Sequence, residues 1–277
     1  MILNSYQKIA TFFLIVLIIF WISLFAARST EGFYNYLYSF LFGLIPFFGG
    51  AVAVVKSKLW GGLKTPIGKA VFFIGLGMFL WGCGEMIWSY YNFFLAEPAP
   101  YPSLADLGFA PSIFFYGLGA IYLSMVTGAK YGLRSGLAKV LVIIGSLLSF
   151  AVAYYLVVIV ARGGVLIPEG ETALKAVLDI AYPLGSVLAL TIAMVVSGLS
   201  FRYLGGRYTT DIIAILLGLG MMFIGDTMFS YATTIGSYYN GNFGDLVLTF
   251  GTFLLTYGVL GFSTLKESSE QKSTQTI

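Results

Sequence analysis

Five acidic residues stand where an apolar sequence has least use for them. Glu85 and Asp226 lie inside long hydrophobic runs, Asp179 precedes Tyr182-Pro183-Leu184-Gly185, and Asp106 and Asp245 open two further apolar runs. An acidic side chain at the centre of a membrane helix costs about 2.5 to 3.5 kcal/mol on insertion scales, so it faces the bundle interior, pairs, or titrates. Counted from Lys69 and Asp211, Glu85 and Asp226 both fall about 23 Å along their helices, a shared depth. Trp88, Tyr90, Tyr182 and Tyr231 sit near these acids and bring ring faces and hydroxyls. Together with the five acids they predict an outward-facing, aromatic-rimmed acidic cup. Such a cup favours a cation or an amine, through charge and cation–π attraction.

Each acid also has a plainer explanation. Glu85 and Asp226 can be protonated, or hydrogen-bonded to the neighbouring Ser and Tyr hydroxyls. Ser103 to Asp106 and Asn242 to Asp245 fit helix-start capping patterns, with an acid near the positive end of the dipole. Asp179 falls two turns inside its helix beside Pro183, which removes a backbone hydrogen bond and bends the helix. Membranes tolerate such breaks where they line a cavity.

Composition removes other chemistry. No histidine occurs, so imidazole ligands and His-based acid/base catalysis are gone. The single cysteine, Cys83, excludes a disulfide framework. No metal site is expected, because the loops lack the acidic spacing of a calcium loop. No cofactor is expected either: every lysine lies at a helix end or in a loop, away from where a retinal Schiff base forms. Carboxylates alone are not a catalytic constellation, so the chain reads as a non-enzyme with no catalytic residues.

The elements that position these residues follow from hydrophobicity. The 277 residues are 58% hydrophobic and 10% charged, against about 25% charged in soluble domains. Lipid is therefore the expected solvent, and nucleic acid is not an expected partner. Aromatics make up 17%, with 19 Tyr against 4 Trp, which fits interfacial belts or a pocket needing hydroxyls. Roughly 20 apolar residues span a bilayer core. Eight windows qualify, near 8–27, 33–55, 70–94, 104–127, 139–161, 174–198, 211–233 and 244–264, in one polytopic domain over 1–265. The fold class is an all-α integral membrane protein of about eight transmembrane helices in four hairpins.

Lys and Arg set the orientation. Lys8, Lys56, Lys58, Lys64, Lys69, Lys130, Arg134, Lys139, Arg202, Arg207, Lys266 and Lys272 fall on one side, leaving only Arg28, Arg162 and Lys175 on the other. Both termini are thus expected in the cytoplasm, in the cell membrane, with an electronegative outer face holding Glu31, Glu97, Asp106, Glu169, Glu171, Asp179 and Asp245. The polar tail at 266–277 is too short for a domain, so output is expected to pass through a separate signalling partner or the membrane.

An internal repeat is expected as well. Gly84-Glu85-Met86-Ile87-Trp88-Ser89-Tyr90 parallels Gly225-Asp226-Thr227-Met228-Phe229-Ser230-Tyr231, each preceded by Gly-Leu-Gly-Met, and each hairpin ends in Tyr-Gly. Gly75, Gly77, Gly82 and Gly84 allow close helix contact, within the bundle or between copies of a homo-oligomer.

At Gly84-Glu85-x-x-Trp88-x-x-Tyr91, Pro102-Ser103-Leu104-Ala105-Asp106, Asp179-x-x-Tyr182-Pro183-Leu184-Gly185 and Gly225-Asp226, the chain resembles the multi-helix membrane sensor region at the N-terminus of many bacterial diguanylate cyclases, phosphodiesterases and sensor kinases. The resemblance spans roughly residues 40–265 and implies an input module coupled to a cytoplasmic output domain. Two departures stand out: no output domain follows the last helix, and Ser186 stands where the family pattern often has an acid. The leading expectation is a stand-alone sensory or ligand-binding membrane module. The alternatives are a small transporter or channel for a cation or amine, and a membrane scaffold or assembly subunit.

Overall fold

The computed structural model describes residues 3–126, 136–167, 169–170, 172–200 and 208–262. Lys130, Arg134, Glu171, Arg202, Arg207, Lys266, Lys272 and the tail at 266–277 lie outside the described residues. Among those described are eight α-helices and a few short 3-10 and π turns, with no strand. The helices are α1 (Ser5–Ala26), α2 (Phe33–Lys56), α3 (Pro66–Phe94), α4 (Asp106–Val126), α5 (Gly136–Tyr154), α6 (Ala173–Ser200), α7 (Thr209–Thr234) and α8 (Phe243–Gly261). Among the described residues, seven helices are long and apolar enough to cross a membrane by length and composition: α1, α2, α3, α4, α5 with its π turn, α7 and α8.

Local chemistry explains where several helices start. α1 opens on a capping box, Asn4 accepting from the Gln7 amide while the Gln7 side chain accepts from Asn4. α3 opens on Thr65, whose hydroxyl accepts from the Gly68 amide at 3.1 Å, with Pro66 in the first turn. α1 and α3 thus begin ahead of Lys8 and Lys69, the charges that marked the expected boundaries. A lysine near a helix end carries its charge to water on a long stem while the backbone stays helical, so caps, not charges, set these ends. α5 differs from the continuous helix expected over 139–161. It gives way at Tyr155–Val160 to a π turn that leads to Arg162.

The helices α2, α3, α4, α6, α7 and α8 pack in that order into a closed ring, α8 returning to α2. α1 lies outside the ring against α8 and α2, and α5 lies outside against α6. Large apolar side chains cover the outer faces of these two helices, among them Ile9, Phe12 and Ile19 on α1 and Ile143, Leu147 and Leu148 on α5, all exposed. An exposed apolar surface of that extent needs lipid or a partner to cover it.

α3 is held on both sides by backbone contact. A Cβ on Gly50 of α2 would sit 2.5 Å from the Gly75 carbonyl oxygen, and one on Gly108 of α4 would sit 2.5 Å from the Gly84 nitrogen. Gly75 and Gly82 face α2, while Gly77 and Gly84 face α4, so these four glycines serve contacts inside the bundle. The same pattern recurs in the second half. Gly84 abuts Phe109 and Gly77 abuts Ser112 and Tyr116, just as Gly225 abuts Leu248 and Gly218 abuts Gly251 and Leu255.

At one end of the bundle lie the connections 27–32, 95–105 and 235–242, together with Arg162. At the other lie the Ser57–Trp60 and Gly62–Lys64 turns and the starts of α1, α3 and α7. There Asn4 donates to the Leu260 carbonyl at 2.7 Å and Gln7 donates to Asp211 at 3.1 Å, tying α1 to α8 and α7. The core between the ends is apolar, with Val71, Ile74, Met78, Ile215, Leu219 and Leu255 fully buried.

Candidate functional site

Just below the 95–105 and 235–242 connections the ring encloses a cavity of about 50 Å³, room for a few water-sized groups. Four carboxylates from four helices line it: Glu85 on α3, Asp106 on α4, Asp226 on α7 and Asp245 on α8. Aromatic rings fill most of the remaining wall, Phe42, Trp81, Trp88, Phe109, Tyr182, Phe229 and Tyr238, with Ile113, Met222 and Leu248. No basic side chain is among the described residues that line it.

Three of the four carboxylates, Glu85, Asp106 and Asp226, are held by a hydroxyl from another part of the chain. Ser39 of α2 donates to Glu85 at 2.5 Å, and Ser186 of α6 donates to Asp226. The nearer hydroxyls, Ser89 and Ser230, sit one turn beyond those acids and are buried with no hydrogen-bond partner among the described residues. The partners are therefore on the preceding ring helix, not on the acids' own helices as the plainer sequence explanation had it. Ser186, next to Gly185, is the residue that holds Asp226.

Asp106 and Asp245 do two jobs each. One oxygen of Asp106 accepts from the Ser103 amide at 2.7 Å, closing the cap of α4, while the other accepts from the Tyr182 hydroxyl. One oxygen of Asp245 accepts from the Gly241 amide at 2.7 Å, and Asn242 caps α8 by accepting from the Asp245 amide at 3.1 Å. Capping and cavity lining are thus compatible, because a carboxylate has two oxygens and a cap uses one.

The connections lock over the cavity by side-chain hydrogen bonds. Trp88 donates to Asn240 at 2.8 Å, Asn240 donates to the Pro98 carbonyl at 2.7 Å, and Asn35 of α2 donates to the Asn240 carbonyl at 2.8 Å. Tyr101, from the other connection, donates to Asp179 of α6 at 2.7 Å. Burial and the Asp179 charge push the Tyr101 phenol upward, and burial with the Asp245 and Glu85 charges pushes Tyr238 well above its ordinary value. Both phenols therefore remain donors across the neutral range.

Six of the nine residues singled out from the sequence line this cavity: Glu85, Trp88, Asp106, Tyr182, Asp226 and Asp245. Three do not. Asp179 is fully buried but pairs with Arg162 and with Lys175 at 3.2 Å, so its charge is already balanced beside the cavity. Pro183, four residues on, has no N–H for the Asp179 carbonyl, yet α6 continues through it as one helix. Tyr90 is 54% exposed and stacks on Phe94 at the outside of α3. Tyr231 is half-buried on α7 and absent from the cavity wall.

Tyr238, Trp81, Phe229, Ser39 and Arg162 were not singled out. Trp81 had a readable signal, since it lies four residues before Glu85 and so shares its helical face. Tyr238 had none, because a loop residue has no periodicity.

Among the described residues no group of three or more acidic or thiol side chains is arranged to hold a metal ion. What the arrangement offers is four carboxyl groups facing one aromatic-walled cavity. No family model matches the chain, and neither a curated protein nor a solved structure is found similar to it.

Proposed function

We propose that this protein is a membrane receptor module that binds a small organic cation, an amine or quaternary ammonium, in the cavity under the 95–105 and 235–242 connections. In this reading all eight helices cross the membrane, the lysine-rich end faces the cytoplasm, and the cavity faces outward. One observation carries it: four carboxylates from four helices converge on one aromatic-walled cavity whose described lining holds no basic side chain. Like charges gathered in low dielectric repel one another, and a bound cation relieves that repulsion while the rings solvate it. The internal repeat fits the same reading, since each half supplies one acid from its third helix and one from its fourth.

Receptor function is favoured over conduction by what lies beneath the cavity. Trp81, Met222, Leu248 and Ile113 sit one to two turns below the acids, and the apolar core follows. Buried hydroxyls do run down α8, at Thr249, Thr252 and Thr256. Among the described residues the next acid along that stripe is Asp211, which meets α8 at Gly261 at the far end, so no acid accompanies the hydroxyls in between. Protein reconstituted in liposomes is accordingly expected to show no cation-coupled flux. A partner at the cytoplasmic end, or a second copy of the chain, would receive the signal.

The test is thermal unfolding of the purified protein with tetramethylammonium as the probe. At about a hundredfold excess over its dissociation constant a ligand that binds only the folded state stabilises it by about 2.7 kcal/mol. The wild type should gain stability, and E85Q/D226N should gain none. Equal stabilisation of both proteins would remove the proposal.

A further inference from the structure

We infer that the ligand is an amphiphile, a cationic headgroup carrying an apolar tail, which reaches the cavity sideways from the bilayer between α4 and α6. This rests on the reading of the cavity as a cation site. A groove of about 380 Å³ runs between those two helices, walled by apolar side chains such as Ala110, Phe114, Leu118 and Leu178. Two residues, Ile113 and Tyr182, belong to the walls of both the groove and the cavity. Tyr182 shows the division of labour, since its hydroxyl donates to Asp106 at the cavity while its body forms groove wall.

The groove reaches from Ala110 to Ile121 along α4, about 16 Å at 1.5 Å per residue, which suits an extended alkyl chain. It opens on the flank where Phe114 and Ile121 are exposed, so its mouth faces the zone where lipid tails would lie. Gly117 keeps it open. A side chain there would meet nothing within 4 Å, so a larger residue would fill the groove rather than distort the bundle. Adjacency selects the occupant: a groove that shares the walls Ile113 and Tyr182 with an acidic aromatic box suits the tail of a molecule whose head the box holds. A neutral lipid tail has no reason to end there.

The experiment measures tryptophan fluorescence, because Trp81 and Trp88 line the cavity. Protein in phosphatidylglycerol nanodiscs is titrated with tetramethylammonium and with butyl-, octyl- and dodecyltrimethylammonium, corrected for partition into empty discs. Burial of each CH₂ from water tightens binding by up to about fourfold, so dodecyltrimethylammonium should bind the wild type at least about a hundredfold tighter than tetramethylammonium. G117F should bind tetramethylammonium as the wild type does, which also shows that it is folded, and should lose at least about tenfold toward the dodecyl probe. Affinity independent of chain length, an unchanged dodecyl affinity in G117F, or equal binding of uncharged dodecanol would each overturn the inference while leaving the cation cavity standing. Failure of every ammonium probe, tetramethylammonium included, would overturn both.

Discussion

Replacing Arg162 with Met should destabilise the protein by about 3 to 5 kcal/mol, the cost of leaving a buried charge without its partner. Arg162 and Asp179 have fully buried side chains and pair directly. Removing the guanidinium leaves Asp179 to the Tyr101 and Thr234 hydroxyls and to Lys175, whose side chain is 19% exposed and so tied less firmly. That residual pairing places the loss near the lower end of the range. The double variant R162M/D179N should lose less than R162M alone, because the charge and its partner leave together. Denaturant titration in mixed micelles reads both. An R162M protein within about 1 kcal/mol of wild type would mean the pair does not anchor the start of α6 beside the cavity.

Gly108→Leu is the second large effect. A Cβ at Gly108 would lie 2.5 Å from both the Gly84 nitrogen and the Leu80 carbonyl oxygen, and backbone on a packed helix has no rotamer by which to yield. Overpacking ordinarily costs about 1 to 3 kcal/mol. With two backbone atoms in the way, the loss should reach the top of that range or prevent assembly. Gly117→Leu on the same helix is the matched control. It meets open space and should stay within about 0.5 kcal/mol of wild type. Equal behaviour of the two variants would show that the α3 and α4 backbones do not touch as described.

Much of the fold was legible because lipid is an exacting solvent. Apolar runs of membrane length stand out in any sequence, and the acids interrupting them stand out further. The helical period also carried information that was left unused. Tyr90 lies five residues after Glu85 and Tyr231 five after Asp226, about 140° round the helix at 100° per residue, so neither could share the acid's face. Trp88, three residues after Glu85, could, and it does.

Other features were out of reach because they depend on contacts between distant segments. Arg162 reads in sequence as one cation of a polar connection, yet it is buried against Asp179. Asn240 joins Trp88, Pro98 and Asn35, contacts that no local pattern encodes. The exchange of partners between halves was hidden for the same reason. Tyr38 of the first half bonds Thr249 at 2.9 Å, and Tyr182 of the second bonds Asp106.

The most direct measurement is charge-selective labelling of a cysteine placed in the cavity wall, with Cys83 changed to Ser so that no other thiol responds. Phe229→Cys keeps all four carboxylates and lies against Trp88, Tyr101 and Tyr238 under the connections. In intact cells, a membrane-impermeant methanethiosulfonate bearing a trimethylammonium group should label this thiol at least about tenfold faster than its sulfonate counterpart, as a focused negative field requires. Excess tetramethylammonium should slow that labelling. Equal rates for the two reagents, a faster sulfonate, or labelling only from the cytoplasmic side would contradict the account.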